Sequence, residues 1–198
     1  MTIACADPWA ACQDYLATTC WCHEDVPQPD VNRRYALVLW TFAECLAAQT
    51  ILEIGIGPTA ASGCTFLHHL AQRPHGHLLS VDIDPTLPLP VYRALAVQCG
   101  VAWTVIHGDS LEVAVPLSPG AVDLLYIDGN HDAVHAEGDL LKFLPYLRPG
   151  GYLLIDDFPP QKGLGLGRPA IDAMIPGHLH LAHAVPHGNG RLVWQRPL

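Results

Sequence analysis

Five short apolar runs, each stopping at an acidic residue, set the pattern of the chain: Ile51-Leu52-Glu53, Leu78-Leu79-Ser80-Val81-Asp82, Val105-Ile106-His107-Gly108-Asp109, Leu124-Leu125-Tyr126-Ile127-Asp128 and Tyr152-Leu153-Leu154-Ile155-Asp156-Asp157. Such runs mark strands buried on both faces, with their polar residues gathered at the carboxyl ends, where parallel α/β sheets bind ligands. Strands are expected near 51–55, 77–82, 102–107, 122–127 and 151–156. Helical spacing recurs between and after them, near 60–72, 89–99, 132–147 and 168–174, so the pattern favours a parallel sheet wrapped by helices and joined by right-handed crossovers. Two more helices are expected before the sheet, at 8–20 and about 32–48, with Pro27 and Pro29 marking the break. Near the other end, 178–185 and 191–195 flank His187-Gly188-Asn189-Gly190, whose Asn-Gly pair signals a hairpin. The sheet is therefore expected to close with an antiparallel strand.

With 198 residues, half of them hydrophobic, the chain fits a single domain with a full core. Residues 1–49 are expected to form N-terminal helices covering the site, and 50–198 the core. The net charge of -9, from 19 acidic against 10 basic residues, lacks the basic excess that phosphate backbones require, so no nucleic-acid partner is expected. Lys142 and Lys162 are the only lysines and neither follows a glycine-rich loop, which argues against Schiff-base and Walker-type mechanisms. Asp7, Asp14, Glu24 and Asp25 fit no secretory signal, and no apolar run is long enough to span a bilayer. A cytoplasmic protein is expected.

The cysteines at 5, 12, 20, 22, 45, 64 and 99 show no paired CxxC spacing and are read as reduced thiols serving as small core residues. Cys20, Cys22 and His23 are the one local cluster that a metal assay would address. Of the 12 histidines, His178, His180, His183 and His187 gather near the closing hairpin, where alternation divides them between faces and favours a surface. Trp9, Tyr15, Trp21, Tyr35 and Trp40 either cover an acceptor or pack a core. The segment 159–167, rich in proline and glycine, follows the fifth strand, where a loop can cover a site.

Glu53-Ile54-Gly55-Ile56-Gly57 lies between a strand and a helix, and its glycines let the backbone approach a ligand closely. About thirty residues on, Val81-Asp82-Ile83-Asp84 ends the second strand, where an acidic side chain can accept from two ribose hydroxyls and disfavours a 2'-phosphate. Gly108-Asp109-Ser110 offers a further acceptor and a hydroxyl at the same edge, suited to an adenine amino group.

The ordered set Glu53, Asp82, Asp109, together with Leu147-Arg148-Pro149-Gly150-Gly151-Tyr152, resembles the class I methyltransferases that use S-adenosylmethionine, over roughly residues 50–195. The resemblance implies a Rossmann-like, seven-stranded, mostly parallel sheet with helices on both faces and a C-terminal antiparallel hairpin strand. It also implies cofactor binding by Glu53, Gly55, Gly57, Asp82, Asp109, Ser110 and Asp128. Where many members carry a third glycine, this chain has Thr59 beside Pro58.

A narrower likeness lies in Asp123-Leu124-Leu125-Tyr126-Ile127-Asp128-Gly129-Asn130-His131 with Ile155-Asp156-Asp157. It is similar to the small-molecule O-methyltransferases of the macrocin type and, more distantly, of the catechol and caffeoyl-coenzyme A types. By position it implies Asp128, Asp156 and Asp157 as ligands of a divalent cation, with magnesium favoured. Three carboxylates at neighbouring strand ends would repel one another without a hard cation, which fits that chemistry. The alternative is that Asp156 and Asp157 cap the following segment while Asp128 holds a turn. His131 stands where the catechol type carries a catalytic lysine, and is either a base toward a metal-acidified hydroxyl or an orienting residue for Asp128 or Asn130.

The expected activity is methyl transfer to a hydroxyl of a small-molecule acceptor, a sugar or an aromatic ring, with vicinal hydroxyls favoured. A homo-oligomer is compatible with this. A non-catalytic cofactor binder of the same fold and a dinucleotide-dependent oxidoreductase are the alternatives, the latter disfavoured by the missing GxGxxG.

Overall fold

The computed structural model describes residues 29–57, 61–84, 89–158, 173–181 and 190–198. The expected helix at 8–20, the Cys20-Cys22-His23 cluster, the 159–167 loop, most of the 168–174 helix and the turn at His187 to Asn189 lie outside these residues. The elements run α1 (Pro29–Leu46), β1 (Thr50–Ile54), α2 (Ala61–Leu70), β2 (His77–Asp82), α3 (Leu89–Cys99), β3 (Ala102–His107), β4 (Val122–Ile127) and α4 (Ala133–Phe143). A 3-10 turn (Leu144–Tyr146) leads to β5 (Leu147–Phe158), β6 (Leu179–Leu181) and β7 (Gly190–Gln195).

The strands form one seven-stranded sheet in the order β3-β2-β1-β4-β5-β7-β6. β1 to β5 are parallel, and β7 runs antiparallel to both β5 and β6. The mostly parallel sheet with an antiparallel closing strand agrees with the sequence pattern, and the fold is Rossmann-like. The order reverses between β1 and β4, so the crevice beyond their carboxyl ends is the switch point where such sheets bind ligands.

Strict alternation gives the sheet two packed faces. Ile51, Leu78, Leu124, Tyr126, Leu154 and Val193 join Leu39 and Ala43 of α1 and Phe66, Leu67 and Leu70 of α2. The intervening Leu52, Leu79, Leu125, Leu153, Leu192 and Trp194 join Leu140 and Phe143 of α4 on the other side. Burying each such side chain contributes about 1.5–3 kcal/mol, so the apolar runs suffice to fix the layers.

Every residue of α2 is buried, because α1 and α3 enclose it against the sheet. Two of its polar members have local partners: Thr65 donates to the Ala61 carbonyl at 2.8 Å, and His69 lies 2.7 Å from Glu44 Oε1 and 2.9 Å from the Ala48 carbonyl. Glu44 also accepts from Arg73 at 2.7 Å, which binds α1 to α2.

β5 starts earlier than expected. Leu147 to Gly150, before the expected start near 151, already belong to it, and Arg148 donates to Asp123 Oδ1 on the neighbouring strand at 2.5 Å. The ladder shifts register between Val122 and Leu124 to accommodate this. Asp123 Oδ2 accepts from the Gln49 and Thr50 amides at 2.8 and 2.9 Å, which closes the amino end of the sheet. Among the described residues no helix is long and apolar enough to cross a membrane.

Candidate active site

The glycine loop after β1 is held between its two neighbours. Gly55 donates to the Val81 carbonyl at 2.9 Å, while the Asp128 amide donates to the Ile54 carbonyl at 2.8 Å. Gly55 has φ +89°, and a Cβ there would lie 2.2 Å from the Asp128 carbonyl oxygen, so only glycine fits. Gly57, at φ +65°, would carry its Cβ into open space with nothing within 4 Å. One glycine thus brings β1 against β4, and the other leaves room for a ligand above the loop.

Asp82 turns its carboxylate toward this loop. Its Oδ2 accepts from the Ile56 and Gly57 amides at 2.7 and 3.2 Å, and its Oδ1 accepts from the Asp84 amide at 2.8 Å. A carboxylate offers about four acceptor positions, so these bonds leave capacity for a ligand hydroxyl. At the next strand end Asp109 Oδ1 accepts from the Leu111 amide at 2.9 Å, while Oδ2 lies 3.8 Å from His135 Nε2. Lys142 of α4 donates to the Ser110 and Val113 carbonyls at 2.6 and 2.5 Å, fixing the segment that carries both predicted adenine-side residues.

Glu53 occupies a different position from the one its strand-end location implied. It is fully buried, with Ser62 donating to Oε1 at 2.5 Å and Ser80 to Oε2 at 2.7 Å. Alternation along β1 turns it toward α2, beneath the loop, where its carboxylate joins the start of that helix to β2. Burial pushes its pKa up from 4.5 to about 7; the two serine hydrogen bonds oppose this, and the nearby Asp82 charge adds to it.

Asp128 and Asp156 come together around one hydroxyl. Tyr126 donates to Asp128 Oδ2 at 2.8 Å, and the Tyr126 hydroxyl oxygen also lies 3.2 Å from Asp156 Oδ2. Asp156 Oδ1 is ion-paired with Arg191, whose Nε and Nη2 lie 3.1 and 3.0 Å away. Both residues are buried, and the guanidinium also stands over the Tyr126 ring at 5.8 Å. His131 Nε2 lies 3.7 Å from Asp128 Oδ1, with about a third of its side chain exposed. Asp157 belongs to β5, but its side chain lies outside the described residues.

Asp128 and Asp156, two of the three residues foreseen as ligands of a divalent cation, are joined here by a phenol and an arginine. Asp156 Oδ1 faces the Arg191 guanidinium, and the Tyr126 hydroxyl stands between Asp156 Oδ2 and Asp128 Oδ2. Among the described residues, no three His, Cys, Asp or Glu side chains are grouped to hold a metal ion. The repulsion that pointed to a cation counted carboxylates without an internal counter-charge, and Arg191 supplies one.

Sequence reasoning missed Arg191, Tyr126 and Asp139. Tyr126 stands two residues before Asp128 and shares its face by alternation, a signal that was present in the sequence. Arg191 is the one charged residue in β7, but its partner could be found only from the antiparallel pairing beside it, Ile155 with Leu192. Asp139 is buried on α4, and desolvation raises its pKa. Asp132 caps the same helix by accepting from the Val134 and His135 amides. Chiefly through the His135 amide, this lowers the Asp132 pKa, while Asp132 in turn raises that of His135.

A layered sheet in this order, with a glycine loop and acidic strand ends at the switch point, is the architecture of methyltransferases, and solved structures agree. PaMTH1 from Podospora anserina, a methyltransferase solved with SAH, superposes with a TM-score of 0.62 at 18% identity, over 97% of this chain and 88% of that one. Cofactor-bound Rv0187 from MTB gives 0.62 at 19%, over 100% and 94%. The O-methyltransferase TomG of Streptomyces achromogenes, involved in tomaymycin synthesis and solved with SAM, gives 0.57 at 15%, over 97% and 90%. The search of curated proteins finds no match. Residues 52–158 match the family model described as a methyltransferase domain, so the chain belongs to that family of methyltransferases.

Proposed function

We infer that the chain is an S-adenosylmethionine-dependent O-methyltransferase acting on a hydroxyl of a small molecule. The observation that carries this reading is the convergence, at the switch point, of the open glycine loop, the acceptor capacity of Asp82 and the Asp128–His131 pair, within a family of methyltransferases. When bound, S-adenosylmethionine supplies an electrophilic methyl group that leaves sulfur for the acceptor oxygen. Gly55 and Gly57 give its backbone approach, Asp82 accepts from the ribose hydroxyls, and Asp109 with Ser110 faces the adenine edge. Glu53 supports this loop from beneath through Ser62 and Ser80.

His131 takes the acceptor proton. Asp128, 3.7 Å from its Nε2, orients the ring and favours the imidazolium that forms. The divalent cation is left out of this reaction because Asp156 is already paired. Residues 1–49 contribute the acceptor pocket, a role supported by α1 packing on α2 and against β4 and β5. The small net-negative domain suits a small-molecule acceptor rather than a polyanion.

Two measurements test the reading. Calorimetry against S-adenosylmethionine, S-adenosylhomocysteine and NAD is expected to show binding of the first two, and tighter binding of NAD would overturn it. Incubation with S-adenosylmethionine and a panel of sugar and phenolic hydroxyl acceptors is expected to release S-adenosylhomocysteine. Release that persists undiminished in Asp128→Ala would remove the assigned pair from the chemistry.

A further inference from the structure

Arg191 is 2% exposed and Asp156 8% exposed, so their contact is an ion pair removed from water. Breaking such a pair from one side strands the other charge, a cost that makes the contact persistent. The Arg191 Nε and Nη2 both approach the same oxygen of Asp156, at 3.1 and 3.0 Å. The other oxygen of Asp156 faces the Tyr126 hydroxyl, which in turn donates to Asp128. One cation, two carboxylates and one phenol thus form a continuous row from β7 through β5 to β4, ending at Asp128 and His131.

A metal ion bridging Asp128 and Asp156 would have to share Asp156 with Arg191 and enter beside the Tyr126 hydroxyl that stands between the two carboxylates. It would also bring a double positive charge toward a buried guanidinium, an unfavourable approach where screening is weak.

We propose that Arg191 is the resident cation of this carboxylate edge, taking the place a divalent metal ion would have, so that the site binds no Mg2+ or Mn2+ and accepts a hydroxyl that does not chelate. The proposal rests on the O-methyltransferase reading only for the word hydroxyl; the charge arrangement stands apart from it. Its consequence for substrate is definite. An acceptor with a single hydroxyl fits as well as one with vicinal hydroxyls, because no metal is present to bind the second oxygen.

Electron paramagnetic resonance of Mn2+, titrated with the full chain, tests this without any substrate. The wild type is expected to leave the free Mn2+ signal unchanged. Arg191→Met, neutral and of similar length, uncovers Asp156 and is expected to raise Mn2+ affinity by about tenfold or more, while Arg191→Lys keeps the cation and stays silent. Should Arg191→Met not fold by circular dichroism, Arg191→Gln, which retains an N–H donor toward Asp156, repeats the measurement. Stoichiometric Mn2+ binding by the wild type that disappears in Asp156→Asn would overturn the proposal. So would a folded neutral variant that gains no Mn2+ binding.

Turnover in EDTA distinguishes the two readings. Methyl transfer abolished by the chelator would refute the role of Arg191 and leave the methyltransferase standing, whereas absence of S-adenosylmethionine binding would refute the latter and leave the Mn2+ result intact.

Discussion

Replacing Glu53 with glutamine should change how stability depends on pH, because the folded chain holds a proton there that the unfolded chain releases. In the interior the carboxyl group loses its hydration, and this outweighs the hydrogen bonds from Ser62 and Ser80 that favour the anion. The folded-state pKa therefore rises from 4.5 to about 7. At about 1.4 kcal/mol for each pH unit, the difference amounts to about 3 kcal/mol. The folded pKa is the higher one, so the stabilisation is complete below about pH 4.5, is lost as pH rises through about 7 and is constant above that. Glutamine carries the same shape without the proton.

Urea denaturation of both proteins across this window, followed by tryptophan fluorescence, gives the comparison. The stability of the wild type minus that of Glu53→Gln should fall by about 3 kcal/mol from acid to neutral pH. Groups common to both proteins cancel in the difference. Parallel curves, or a difference that grows with pH, would refute the assignment of a buried, protonated Glu53.

The remaining predictions concern single residues around the same edge. Gly55→Ala should fold poorly and lose S-adenosylmethionine binding in calorimetry, because its Cβ would lie 2.2 Å from the Asp128 carbonyl oxygen and its φ is +89°, a strain of about 1–3 kcal/mol before the steric clash is counted. His68, with its Nδ1 unpartnered among the described residues and its pKa lowered by burial, should cost stability as pH falls below 6.5; His68→Gln is expected to flatten that acid limb in the same denaturation series. His131→Ala should lower kcat by about 10^2 to 10^4 with S-adenosylmethionine affinity unchanged. An equal loss of both would make His131 a structural residue.

The strands were legible because burial on both faces leaves apolar runs that no other element explains, and α3 falls at Leu89–Cys99 as its spacing indicated. The glycine loop was legible for the same kind of reason, since its conformation excludes side chains. Direction was harder to read. Glu53 and Asp82 both end strands, but Asp82 meets the loop amides while Glu53 points under α2, and only the helix docked above β1 separates the two roles. The ion pair of Arg191 with Asp156 spans 35 residues and depends on β7 inserting between β5 and β6, an order that local spacing does not encode. The carboxylates were visible in the sequence and their counter-charge was not.

The same insertion makes one strand answer two needs. β7 covers the outer edge of β5 and brings Arg191 to Asp156, so strand pairing and charge balance at that edge share a single backbone register. A slip of that register by one residue would turn Arg191 to the opposite face and leave the Asp156 carboxylate buried without its counter-charge.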